Sequence, residues 1–128
     1  METQTTHGVR ISVEHQYQPA HSEPQRRYFL HVYDIRIENR NAYPIQLLRR
    51  HWIITEDSGI MSEVVGDGVI GEQPVIQPGG VHAYSSYCVV RTEIGQMRGT
   101  YMMIRLDDNT PFEVHIPAFV LTVPAKLN

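Results

Sequence analysis

The chain has 128 residues, enough for one domain that buries roughly 65–70% of its unfolded surface without needing a staple. Fourteen acidic against 11 basic side chains give a formal net charge of −3, which excludes a globally basic nucleic-acid binder. A single cysteine excludes an internal disulfide and any zinc site built from several thiolates. The opening Met1-Glu2-Thr3-Gln4-Thr5-Thr6-His7 lacks the hydrophobic region of a secretory signal. No stretch approaches the roughly 20 apolar residues that span a bilayer. The expectation is one cytoplasmic domain over 1–128, with no membrane insertion and an ordered core over about 9–123.

Period two dominates the chain. Val9, Ile11, Val13, His15 and Tyr17 alternate with polar residues and predict a strand closed by Pro19. Residues 19–27 are polar with two prolines and read as a loop. Phe29, Tyr33, Ile35 and Ile37 alternate with Asp34, Arg36 and Glu38, a second strand, before turn chemistry at 39–44. The stretch 45–55 supports two readings. Ile45, Leu48 and Trp52 fall on one helical face, but Ile53-Ile54-Thr55 is β-branched and the flanks are strands, so it is assigned as strand. A turn at 56–59, a short strand at 60–65 and a glycine loop at 66–71 follow. A proline-punctuated segment then runs through Pro74 and Pro78. Further strands are predicted at 81–90, 99–106, 112–116 and 119–123, the last two separated by Pro117-Ala118. Seven to eight short antiparallel strands and no helix make this an all-β chain. The spacing favours an immunoglobulin-like β-sandwich of the fibronectin type III kind.

Gly66-Asp67-Gly68-Val69-Ile70-Gly71 matches G-x-G-x-x-G, the turn that holds a pyrophosphate at a helix N-terminus in dinucleotide-binding folds. Pro74 and Pro78 forbid the helix that this mechanism needs. Two readings survive: glycines that supply positive φ in a tight connection, and an anion-binding nest of backbone amides at Gly66, Gly68 and Gly71. Asp67 and Glu72 work against the second. The seven histidines show no H-x-H or H-x-x-x-H spacing, so a metal site would have to assemble across strands. Candidate ligands are His31, His51, His82 or His115 with Asp34 or Glu113, and the sequence leaves this open. Cys88, within an alternating strand, reads as a buried core thiol. Ser85-Ser86 has no nucleophile-elbow setting. In Arg49-Arg50-His51-Trp52, strand parity puts Arg50 on the face of the tryptophan and Arg49 on the other. No catalytic constellation and no cofactor motif is readable.

Several blocks together resemble the ApaG family. They are Arg50-His51-Trp52-Ile53-Ile54-Thr55, the run from Glu63 through the glycine motif to Pro74, and Pro78-Gly79. Tyr84, Ser86, Cys88, Met97-Arg98-Gly99-Thr100-Tyr101 and Ile116-Pro117-Ala118-Phe119 complete the match, which spans about residues 9 to 123. The resemblance implies a fibronectin-III-like sandwich in a bacterial cytoplasmic protein associated with cobalt and magnesium tolerance or efflux. It also implies use as an interaction module, since related domains occur in an F-box substrate-recognition subunit and in a polymerase-delta-interacting protein. It supplies no catalytic residues. A domain without a membrane span does not itself move ions, so a link to efflux would be indirect. The leading expectation is a non-catalytic module acting through an unidentified protein partner, with a homodimer through sheet edges as a further option. The alternative is a binder of a nucleotide or pyrophosphate at the glycine loop, and direct cobalt or magnesium binding by the histidines is a third.

Overall fold

The computed structural model describes residues 1–124. Its strands are β1 (Glu2–Thr6), β2 (Val9–Tyr17), β3 (Phe29–Asn39), β4 (Ile45–Glu56), β5 (Met61–Asp67), β6 (Val75–Ile76), β7 (Val81–Val90), β8 (Ile94–Arg105) and β9 (Pro111–Thr122). One sheet has the order β1-β2-β3-β7 and the other β5-β4-β8-β9, with β6 paired to the start of β4. Every pairing is antiparallel. The two sheets form a β-sandwich, as the alternation requires of strands with one apolar face each. Val9, Ile11 and Val13 of β2, Ile35 and Ile37 of β3, Leu47 of β4 and Tyr101 and Met103 of β8 are all essentially inaccessible. Each such side chain contributes about 1.5–3 kcal/mol of burial, which is what holds the sheets face to face.

The described residues carry nine strands rather than seven to eight, and each difference has a physical cause. β1 lies before the expected ordered core because its residues are polar and show no alternation. It is held by register with β2, from Glu2↔Val13 to Thr6↔Val9, and by the His115 amide donating to Thr6 Oγ1 at 3.3 Å. β6 is a two-residue strand in the proline-punctuated segment. β8 begins at Ile94 rather than 99, with Gly95 and Met97 buried.

The two short strands predicted at the end are one strand, β9, carrying a bulge. Its register with β8 steps from Met97↔Phe119 to Gly99↔Ile116. The extra residue lets Ile116 and Phe119 both face the core, and Pro117, which has no amide hydrogen to pair, sits within it. A second irregularity lies in β4, between Leu47↔Met103 and Arg49↔Met102. It shifts the inward phase from Ile45 and Leu47 to Arg50 and Trp52, which is why this stretch carries a spurious helical period. The loop at 19–27 is wound into two 3-10 turns, Pro19–His21 and Pro24–Arg26.

One side of the sandwich is closed where β1 and β2 pack against β9. The other is open, bounded by edges of β5 and β7 that have no strand partner among the described residues.

Candidate functional site

The glycine motif is divided between a strand and a hairpin, not gathered in one loop. Gly66 lies in β5 directly opposite Arg50. A Cβ on Gly66 would come within 2.8–2.9 Å of Nη1, Cζ and Nη2 of Arg50, so the guanidinium lies flat across this glycine. Gly68 has φ +62°, and its Cβ would meet the Glu72 carbonyl oxygen at 2.0 Å. Val69 and Glu72 close a two-residue hairpin by exchanging amide-to-carbonyl bonds of 2.8 and 3.0 Å. Its central residues, Ile70 and Gly71, have φ 47° and 72°, the left-handed pair that a type I′ turn demands. Glycine suits that geometry, whereas the β-branched Ile70 holds it under strain of about 1–2 kcal/mol.

These contacts limit the backbone nest expected from the motif. The Gly68 amide donates to Leu48 O at 2.8 Å and the Val69 and Glu72 amides close the hairpin. The tip amides of Ile70 and Gly71 have no hydrogen-bond partner among the described residues. Each glycine therefore has a folding reason to be there.

Arg50 instead brings cationic character to the inner end of this segment. Its Nη1 donates to Asp67 O and Gly68 O, both at 3.0 Å, and no carboxylate among the described residues lies within ion-pair distance of it. Strand parity correctly puts Arg50 on the Trp52 face, but its guanidinium packs on Gly66 rather than on the indole. Arg49 faces outward and pairs with the Asp67 carboxylate at 3.7 Å.

Arg50, Trp52, Tyr33, Tyr84, Ser86 and the hairpin together line a crevice of about 160 Å³. It sits between the sheets, at one end of the open side. The Tyr84 and Tyr101 hydroxyls are 2.5 Å apart, Tyr101 being wholly buried. Ser86 lies opposite Tyr33 in register, and its hydroxyl partly offsets the effect of burial on the Tyr33 phenol. Burial raises all three tyrosines above the usual phenol value, so they stay protonated donors. Tyr84, Ser86 and Cys88 share the inward parity of β7, a polar run where a core strand would be apolar, and that alternation is the trace of the crevice in the sequence.

The other end of the open side is a larger groove of about 540 Å³. Ile54, Ile60, Val89 and Val90 line it together with Arg26, Arg27 and Arg91 and with Glu56, whose carboxylate accepts from the Arg91 amide. Arg26 pairs with Glu23 at 3.8 Å, while the Arg27 and Arg91 guanidinium groups have no carboxylate partner among the described residues. Along the adjoining edge Ile60, Met61, Val64 and Val65 are 56%, 58%, 42% and 53% exposed, an unusual apolar content for a free strand edge.

The histidines do not converge. His51 bonds Glu63 at 3.0 Å on the outer face of the five-stranded sheet, with Thr100 between it and His115. His31 is in the core and His82 lies beside Tyr84. Among the described residues no three His, Cys, Asp or Glu side chains are grouped to hold a metal ion. Cys88 is buried, and burial pushes its thiol up to about 11, away from thiolate chemistry. Trp52 is a core residue 3% exposed, edge-on to Tyr33 and Phe119 at 5.3 and 6.1 Å. No helix among the described residues is long and apolar enough to cross a membrane.

The family model described as DUF525, the ApaG domain, matches residues 19–105. The chain belongs to the ApaG family. Protein ApaG of Anaeromyxobacter dehalogenans (strain 2CP-C) is 46% identical over 128 residues, covering all of both chains. Protein ApaG of Pseudomonas aeruginosa is 45% identical over 124 residues, 97% of this chain and 98% of the relative. A crystal structure of an ApaA protein from Bordetella pertussis superposes with a TM-score of 0.87 at 40% identity, covering 91% of this chain and 94% of that one. The sandwich is therefore shared with ApaG-like structures, and the family resemblance read from the sequence holds over its length.

Proposed function

We propose that this ApaG protein is a non-catalytic recognition module that binds an extended segment of a partner protein along the open side between β5 and β7. The observation that carries the reading is the pairing of two free strand edges with a groove lined by apolar side chains and arginines. A free edge offers backbone donors and acceptors to an added strand, and alternate side chains of that strand find the apolar lining. The unpaired Arg27 and Arg91 favour a partner segment with apolar anchors flanked by acidic residues. The cobalt and magnesium association implied by the family then runs through that partner, in the cytoplasm, without ions crossing this domain.

The test is crosslinked capture from native extract with the wild type and with an Ile60→Asp variant that places an acid in the groove. A stoichiometric partner that the wild type retains and the variant loses supports the reading. A partner held equally by both, or background alone in repeated captures, contradicts it.

A further inference from the structure

The geometry points to a phosphate-binding site in the crevice between Arg50, Tyr84 and Ser86, walled on one side by the hairpin tip at Ile70 and Gly71 and independent of strand recognition at the other end of the open side. The Tyr84 and Tyr101 hydroxyl oxygens are hydrogen-bonded at 2.5 Å. Tyr101 is completely buried and Tyr84 is its only hydrogen-bond partner among the described residues. If Tyr84 were the donor, the Tyr101 hydrogen would be left in the core without an acceptor, at a cost of about 1–3 kcal/mol. Tyr101 therefore donates, and the Tyr84 hydroxyl keeps its own hydrogen for an acceptor in the crevice.

Around that donor the lining is complementary to an anion. Arg50 supplies a full positive charge with no carboxylate to neutralise it, and Ser86 and Tyr33 add hydroxyls. Of the two acids flanking the hairpin, Asp67 turns its carboxylate to Arg49 on the opposite face of the sheet, and Glu72 is exposed and does not line the crevice. No carboxylate of the described residues lines the crevice. The hairpin tip, where Ile70 and Gly71 have unpartnered amides, forms one wall. Phenols held protonated by burial remain donors throughout the neutral range.

Size sets the ligand class. A volume of about 160 Å³ accepts one tetrahedral oxyanion and leaves no room to enclose a base and ribose. The ligand is inorganic phosphate or a phosphate ester inserted by its phosphoryl group, with the rest of the ester in solvent.

Trp52 is the sole tryptophan and lines the crevice, so its fluorescence reports occupancy. Inorganic phosphate, glycerol 2-phosphate and acetate are titrated into the full chain at constant ionic strength, chloride being the balancing ion. A saturable change with inorganic phosphate is expected, and not with acetate or chloride. An equal response to glycerol 2-phosphate assigns the site to esters as well, and its absence restricts the site to the free anion.

The Tyr84→Phe/Tyr101→Phe variant removes both hydroxyls together, so no buried donor is stranded, and should bind at least tenfold more weakly. Ser86→Ala should weaken binding severalfold, and decides alone if the double variant does not fold. A response that follows ionic strength alone, or variants that fold and bind as the wild type does, overturns the proposal.

Discussion

His31 is the most exacting residue in the core. It is completely buried, and neither ring nitrogen has a hydrogen-bond partner. The Tyr17 ring lies 5.3 Å away, Cys88 is its register partner on β7, and His15 on β2 is the nearest other titrating imidazole. Burial, assisted by His15, holds its pKa down from the usual 6.5 to about 4. The fold thus favours the neutral ring, while the unfolded chain takes up a proton as pH falls below 6.5. Stability from this group is intact above about pH 6.5 and is lost progressively down to about pH 4, by about 3 kcal/mol in all. His15, lowered chiefly by burial, acts in the same direction.

Urea unfolding of wild type and His31→Leu at pH 7 and pH 4.5 measures the effect. The variant should match or exceed the wild type at pH 7 and lose distinctly less on acidification. An unchanged pH slope would show that His31 does not titrate with folding. A second comparison separates two glycines of one motif. Gly68→Ala should cost more than 2 kcal/mol, because positive φ is compounded by a backbone oxygen 2.0 Å from the new methyl group. Gly71→Ala should cost only about 1 kcal/mol, since nothing lies within 4 Å. Equal losses in urea melts would refute this division. Single residues were legible where parity sufficed, as for Trp52 and Cys88. The Tyr84–Tyr101 contact was not, because it joins side chains from opposite sheets and no local pattern encodes that.

Strands were legible where their phase is unbroken. β2, β3 and β7 keep strict alternation over nine, 11 and ten residues, and their bounds follow from it. The pattern weakens where a local irregularity resets the phase or removes the alternation, although the β-branched end of β4 still marks that stretch as strand. The step at Leu47/Arg49 made β4 look half helical, and Pro117 made β9 look like two strands. β1 carries no apolar alternation at all because it is exposed along its length. The bulge in β9 has a sharp consequence. Deleting Ala118 removes the extra residue and turns either Ile116 or the pair Phe119 and Leu121 toward solvent. Loss of one such core contact costs about 2–5 kcal/mol, so the deletion should lower the thermal midpoint by 10 °C or more. Ala118→Gly, which keeps the count, should melt within a few degrees of the wild type. A deletion variant as stable as Ala118→Gly would mean that the bulge does not set the phase.

At the scale of the whole molecule, the sandwich is asymmetric. The β1–β9 side is closed by packing and by the Thr6–His115 bond, whereas the β5–β7 side exposes edges, apolar side chains and unpaired arginines. Natural sheets usually protect such edges with charge, proline or a bulge, and β5 instead presents Met61, Val64 and Val65. The sandwich and the family were legible in the sequence, the first from alternation and the second from the blocks around Trp52 and the glycine motif. The open side was not legible, because it is defined by which strands lack neighbours, and strand order is not written in periodicity.

Docking of a partner strand on this open side, as proposed, is read out by hydrogen exchange on the captured complex. Amides of Met61–Asp67 and Val81–Val90 that exchange freely in the isolated protein should become protected by tenfold or more, with little change on the outer face around His51 and His115. Protection on that outer face, with both free edges exchanging as before, would contradict it.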